Sequence, residues 1–253
     1  MTTKNDRLIE LCLTAGKLML MYGAETYRVE DTMKRMAVAG GMRDVNSFVT
    51  TTGIFLSGML DDDDDVMQMI RIVDRFQDLS KVTEVNHLSR EFVSGSMTIQ
   101  EARAELKRIE KQPMNYPLWL IYLASAVGGG AFSYLIGNSM FDMLPASIGG
   151  LVSTLALVLF QHYLQAKFFS EYLAAFFGGI TALILVHSGF GTNLDQIIIG
   201  SVIPLVPGVP LTNSVRDLMA GDLISGLARG AEAALTSLSI AAGVATAVSL
   251  FIS

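Results

Sequence analysis

Hydrophobic and polar positions follow two regimes along this chain. As far as residue 112, apolar residues recur in short periods among charges; from Leu118 onward they fill long uncharged blocks. Helical spacing is clear over residues 7–21 and 25–39, and the Gly40–Gly41 pair ends the second helix. Residues 45–60 are rich in Val, Thr, Phe and Ile and read as a strand. The aspartates at 61–65 read as a solvated hairpin tip, and residues 66–73 as the returning strand. Helices are expected again at 81–93 and 98–111, where Thr98 stands three residues before Glu101, the spacing of a capping box. The first part is therefore expected to be α+β, with a hairpin between two helical pairs.

The second regime is expected to be an all-α polytopic membrane domain. Leu118–Gly137 carries no charge and is long enough to cross ~30 Å of hydrocarbon. Pro113 and Pro117 punctuate its entry, and Tyr116, Trp119 and Tyr122 suit a headgroup boundary. Further spans are expected at about 144–163, 172–187 and 231–252, with a fourth, broken one from about Leu194 into residues 204–210. The expected division is 1–116 for the α+β domain and 117–253 for the membrane domain.

Residues 204–210 read P-L-V-P-G-V-P, and three prolines with a glycine cannot continue an α-helix. A helix broken at membrane depth is tolerated only where protein or a water-filled cavity satisfies the freed backbone groups. In secondary transporters such breaks mark the solute site. Pro204, Pro207, Gly208 and Pro210 are therefore candidate solute contacts. Downstream, Asn213 suits a carboxylate or an amine and Arg216 an anion clamp. Asp217, Asp222 and Glu232 are candidates for an ion-coupling carboxylate. The polar cluster Glu25, Arg28 and Glu30, with Arg229, reads as a gate or interface. Glu171, His162 and His187 read as residues at span ends.

Charge sharpens the division. Fifteen of 18 Lys and Arg residues precede Pro117; only Lys167, Arg216 and Arg229 follow it. With the first part in the cytoplasm, a five-span count leaves outside loops at 138–143 and 188–195 without Lys or Arg. All three late cations then lie inside, as the positive-inside rule requires, and the C-terminus ends outside. A net charge of −6 without a basic patch gives no reason to expect nucleic acid. Cys12 is alone, and no Walker loop, Cys/His metal spacing or G-x-S-x-G elbow is present, so neither enzyme activity nor a cofactor is expected. Small residues recur at every fourth position at 125, 129, 133 and 137, and again at 237, 241, 245 and 249, faces that let helices approach closely.

Three segments together resemble the threonine/serine exporter family, in particular its N-terminal-half subunits. They are G-A-E-T-Y-R-V-E at 23–30, P-L-V-P-G at 204–208 and G-D-L-I-S-G-L-A-R-G-A-E-A at 221–233. The resemblance implies export of small polar metabolites, such as threonine, serine or succinate, across the bacterial inner membrane on an ion gradient rather than ATP. It also implies a second membrane half, fused in some members and a separate small subunit in others, with its own proline–glycine motif. This sequence has one half, so a partner subunit of that kind or a homo-oligomer is expected, working in lipid on a small-molecule substrate. The rival reading is a membrane-anchored sensor or regulatory protein whose cytoplasmic head binds a ligand.

Overall fold

A computed structural model describes residues 4–60, 65–113 and 116–252. The chain divides into two compact units, residues 1–115 with 209–230, and residues 116–208 with 231–253. It therefore leaves the first unit near residue 116, returns at Val209 and leaves again after Gly230.

The first unit is built around α1 (Lys4–Met21), whose Leu8, Leu11, Leu18 and Met19 are wholly enclosed. Its one polar stripe, Glu10, Thr14 and Lys17, recurs at helical spacing. Lys17 pairs with Glu110 at 2.9 Å, and Glu10 pairs with Arg103. Around α1 pack α2 (Thr26–Ala39), α3 (Leu79–Val93) and α4 (Ile99–Lys111). Thr98 and Glu101 form the expected capping box at the start of α4, and Asp78 caps α3 through the Ser80 and Lys81 amides. Lys81 is buried. Its ammonium donates to the Gln112 carbonyl at 2.7 Å and to Tyr22 Oη at 3.1 Å, so no charge is left without partners. Cys12 sits in this core, where burial pushes its thiol up to about 12.

The single strand expected over 45–60 is in fact two, β1 (Arg43–Thr50) and β2 (Gly53–Met59). With β3 (Asp65–Arg71) they form an antiparallel sheet in the order β1-β2-β3. The turn between β1 and β2 is Thr51–Thr52, a β-branched pair that carries no Gly, Asn or Asp turn signal. The Thr50 hydroxyl supplies what the sequence hides, donating to Gly53 O at 3.2 Å and accepting from Thr52 N at 3.4 Å. The aspartate run at 61–64 lies outside the described residues.

The second unit is helical: α5 (Leu118–Gly137), α6 (Met143–Leu164), α7 (Lys167–His187), α8 (Leu194–Val202) with a 3₁₀ turn at Ile203–Leu205, and the later part of α10. Before it the chain forms α9 (Gly208–Ala220), and α10 runs over Leu223–Ile252, starting eight residues earlier than the span expected at 231. Among the described residues four helices are long and apolar enough to cross a membrane, or five if the broken pair at 194–220 counts as one span. The protein is a multi-pass membrane protein.

Within this bundle α5, α6 and α8 meet through glycine. Apolar side chains gain little over lipid tails, so close backbone contact has to hold such helices together. A Cβ on Gly200 would lie 2.5 Å from the Gly129 carbonyl oxygen and 2.9 Å from Ala146 Cβ. The first small-residue stripe is thus used internally, with Gly129 and Ser133 buried. The second, Ser237, Ala241, Ala245 and Ser249, faces outward, while Ala233, Thr236, Ile240, Gly243 and Ala247 point into the bundle. Gly200→Val is expected to lower the melting temperature in detergent or abolish folded protein, at about 1–3 kcal/mol or more for an overpacked contact. Gly128→Val, where a Cβ meets nothing within 4 Å, is expected to leave melting unchanged. Equal melting of the two variants would show that the crossing does not depend on glycine.

Candidate functional site

The site grows from the end of α1. Gly23 adopts φ +98°, and the turn closes with Ala24 N to Met19 O at 3.0 Å and Gly23 N to Leu20 O at 3.3 Å. This is a Schellman turn, with glycine where a side chain would be strained. It leaves the Gly23 and Ala24 carbonyls free of α1 and turns the chain directly into α2. Glu25 then occupies the N-cap of α2 without capping it.

Both tasks fall to residues some 190 positions later. The Asn213 side-chain amide donates to Gly23 O at 2.9 Å, and Arg229 Nη2 donates to Ala24 O at 2.9 Å. Asp217 caps α2 from a distance. Its Oδ1 accepts the Thr26 amide at 3.0 Å, and its Oδ2 accepts the Thr26 hydroxyl at 3.2 Å. A carboxylate there meets unpaired amides and the positive end of the helix dipole. Asp217 is fully buried, and Arg229 Nε lies 3.1 Å from its Oδ2. Glu25, released from capping, binds Arg216 through Oε1 at 2.6 Å and Arg28 through Oε2 at 3.3 Å. The Arg216 side chain remains 63% exposed.

The α9–α10 turn repeats the device of α1–α2. Gly221 has φ +93°, and Asp222 N bonds Asp217 O at 2.9 Å. Ser214 Oγ ties the two helices by donating to Gly226 O at 2.7 Å. Glu30 accepts the Val49 amide at 2.8 Å, and the Ser225 hydroxyl donates to Val49 O at 3.4 Å, so β1 joins the same cluster.

Electrostatics separates these acids. Burial pushes the Glu25 carboxyl up, but its own backbone amide and the Arg216 and Arg28 guanidiniums outweigh it and hold it below the usual range. Glu30 is raised by burial and by the Asp222 charge, against the Val49 amide. Asp222 is raised by burial and by Asp217.

Six expected residues thus come together in one unit: Glu25, Arg28, Asn213, Arg216, Asp217 and Arg229, with Glu30 and Asp222 beside them. The others lie apart. Glu232 pairs with Lys167 at 2.6 Å in the second unit. Pro204 lies in the 3₁₀ turn and lines a cavity of about 620 Å³ with Leu120, Ser125, Gly128 and Ile203. Val206 is extended, Pro207 follows outside any helix, and Gly208 opens α9. Pro210 sits in that helix's first turn, where a proline costs no hydrogen bond. A Cβ on Gly208 would meet nothing within 4 Å, so the fold itself does not require glycine there.

Four contributors escaped sequence reasoning. Thr26 and the Gly23 and Ala24 carbonyls act through backbone groups, for which the only signal was a glycine directly after a helix. Asp142, fully buried between α5 and α6, accepts Thr192 N at 2.6 Å, Asn193 Nδ2 at 2.8 Å and the Thr192 hydroxyl. Burial raises this acid, but these bonds prevail and bring it down to about 2.

Apolar helices with a proline–glycine break define a multi-pass membrane protein. The threonine/serine exporter family matches residues 10–251, and the chain belongs to that family. It is 30% identical to the probable succinate transporter subunit YjjP of Escherichia coli, over 99% of this chain and 98% of that protein. It is 24% identical to a probable threonine/serine exporter of Mycobacterium tuberculosis over 94% of this chain, and 26% identical to the threonine/serine exporter of Corynebacterium glutamicum over 68%. It spans 45% and 36% of those two proteins, respectively. No solved structure matches it significantly.

Two outcomes test this geometry. Asp217→Asn leaves Arg229 buried without its counter-charge and is expected to cost roughly 3–5 kcal/mol in thermal unfolding; Asp217→Asn with Arg229→Met should recover most of that. Equal loss in the single and double variants would show that the pair is not the source. Asp222→Asn is expected to do the opposite at neutral pH. A raised carboxyl favours the fold at low pH and loses that advantage as pH rises through its folded value. Removing the charge should therefore raise the melting temperature at pH 7 and leave it unchanged near pH 3, where both forms are neutral.

Proposed function

We propose that this chain is a subunit of an ion-gradient-driven exporter of small carboxylate-bearing metabolites, threonine and serine or a dicarboxylate such as succinate, in the bacterial inner membrane. The observation that carries this reading is Arg216. It is more exposed than the other cluster cations, 63% against 44% for Arg28, and its partner Glu25 already holds Arg28 as a second guanidinium. A solute carboxylate arriving at Arg216 can displace Glu25 without stranding it, because Glu25 keeps Arg28. Solute recognition would then act directly on the turn between α1 and α2. Asn213, Asp217 and Arg229 hold that turn, and the raised Asp222 and Glu30 are carboxyls that bind a proton more readily than free ones.

The break supports the same reading. Residues 194–205 rise at most about 18–20 Å, short of the ~30 Å hydrocarbon core. The extended stretch at Val206 and Pro207 would therefore lie at membrane depth, where freed backbone groups need polar company. Because Arg216 and Arg229 belong to the same unit as the N-terminal residues, a cytoplasmic first unit puts all of these cations inside. The C-terminus then ends outside. The cavity beside Pro204 is apolar and one-sided, and the outward stripe of α10 is small and smooth. Both are suited to a further membrane helix, either from a small subunit with its own proline–glycine motif or from a second copy.

One observation favours the rival sensor reading. A cavity of about 570 Å³ between α2 and α3 is lined by Arg28, Arg35 and Arg90, with Asp31 paired to Arg35, and could take a polar ligand. Flux separates the two readings. The full chain is co-reconstituted in liposomes with the candidate second subunit, and labelled succinate and threonine are followed. Arg216→Ala is expected to lower flux more than tenfold, with partial activity in Arg216→Lys, and Pro207→Leu is expected to collapse it. Intact flux in Arg216→Ala removes the proposed clamp. Labelling Asp63→Cys from outside, or Ser253→Cys only from inside, would overturn the orientation.

A further inference from the structure

One carboxylate in the second unit has no structural use for its charge. Glu171, in the second turn of α7, is 6% exposed, and its Oε2 has no hydrogen-bond partner among the described residues. Thr236, buried on α10, is the hydroxyl that faces the carboxylate. Lys167, one turn earlier on α7, is the obvious counter-ion, yet it binds Glu232 Oε1 at 2.6 Å instead. With Lys167 held by Glu232, Glu171 Oε2 is a buried carboxylate oxygen without a hydrogen-bond partner among the described residues. In an apolar bundle an uncompensated charge is among the costliest features a fold can keep, so a structural ion pair does not account for it.

The surroundings narrow what completes the group. The charges acting on Glu171 are Lys167 from its own helix and Glu232 from α10. From α6, His162 lies in the last turn, exposed and against the Tyr163 ring. The acid of α8, Asp195, lies in its first turn, near the end where α7 finishes. α10 runs alongside α7 in the same direction, from Glu232 beside Lys167 to Phe251 beside His187. Among the described residues no group of three or more His, Cys, Asp or Glu side chains is placed to hold a metal ion.

We propose that Glu171 is the coupling-proton site of the exporter, with Thr236 as its positioning residue and Lys167 as the charge that alternates between Glu232 and Glu171. This rests on the exporter reading above. One proton adds to Oε2, turning carboxylate into carboxylic acid; no other bond is made or broken, and the group becomes neutral. When the proton leaves, Lys167, four residues away on the same helix face, is within reach of the bared carboxylate. Glu232 is then released. Proton occupancy at Glu171 therefore decides whether α7 and α10 are tied through Lys167 and Glu232.

The test uses the full chain in lipid vesicles with Glu171→Gln, which keeps the shape but cannot ionise. Infrared difference spectra between pH 5 and pH 9 should show a carboxylic-acid carbonyl band that disappears in Glu171→Gln and shifts in Thr236→Val. A spectrum unchanged by Glu171→Gln overturns the proposal, whatever the protein transports. In vesicles with the second subunit, Glu171→Gln should retain solute counterflow within about twofold but lose pH-gradient-driven accumulation at least tenfold. Accumulation equal to the unaltered protein, or accumulation driven only by a sodium gradient, overturns it too. Absence of counterflow in the unaltered protein defeats the exporter reading instead, and the infrared titration still decides whether Glu171 takes the proton.

Discussion

The first unit depends on one contact between remote parts of the chain, the Asp217 carboxylate seated on the N-terminus of α2. A helix start has amides that nothing within the helix can satisfy, and Glu25 at the N-cap does not satisfy them. Asp217 does so from 191 residues away, with buried Arg229 balancing its charge. Because donor, acceptor and counter-ion are all sequestered, none can be removed singly without leaving a polar group exposed to apolar surroundings. That is why residues 209–230 are integral to a unit whose remaining residues all precede position 116.

Around this fixed pair the more exposed charges are arranged so that they can change partners. Glu25 divides its two oxygens between Arg216 and Arg28, and the Arg216 side chain stays open to solvent. A buried pair holds geometry; a solvated pair exchanges cheaply. The same division recurs in the second unit. Asp142 is saturated by Thr192 and Asn193 and anchors the start of α8, while Glu171 keeps an oxygen unsatisfied. In each unit a fully buried carboxylate with every bond made serves the fold.

The helices of the second unit are assembled on different terms. Their apolar surfaces are at home in lipid, so association rests on how closely backbones approach, as at Gly129, Gly150 and Gly200. The outward face of α10 carries the same kind of small residues.

Periodicity and uncharged length determined most helices of both regimes, residue spacing the capping box at Thr98 and the break at 204–210, and the resemblance of three motifs the family. These are local properties, written in spacing, in the chemistry of proline and in motifs read in order. The Thr51–Thr52 turn was hidden because a single hydroxyl, on Thr50, makes it. That Asp217 caps a helix rather than facing solute, that Arg229 is buried beside it, and that Lys167 chooses Glu232 over Glu171 were decided only in three dimensions. Each is a choice among partners far apart in the chain. Spacing along a sequence carries no record of which of several available charges ends up within 3 Å, because burial and competing hydrogen bonds make that selection.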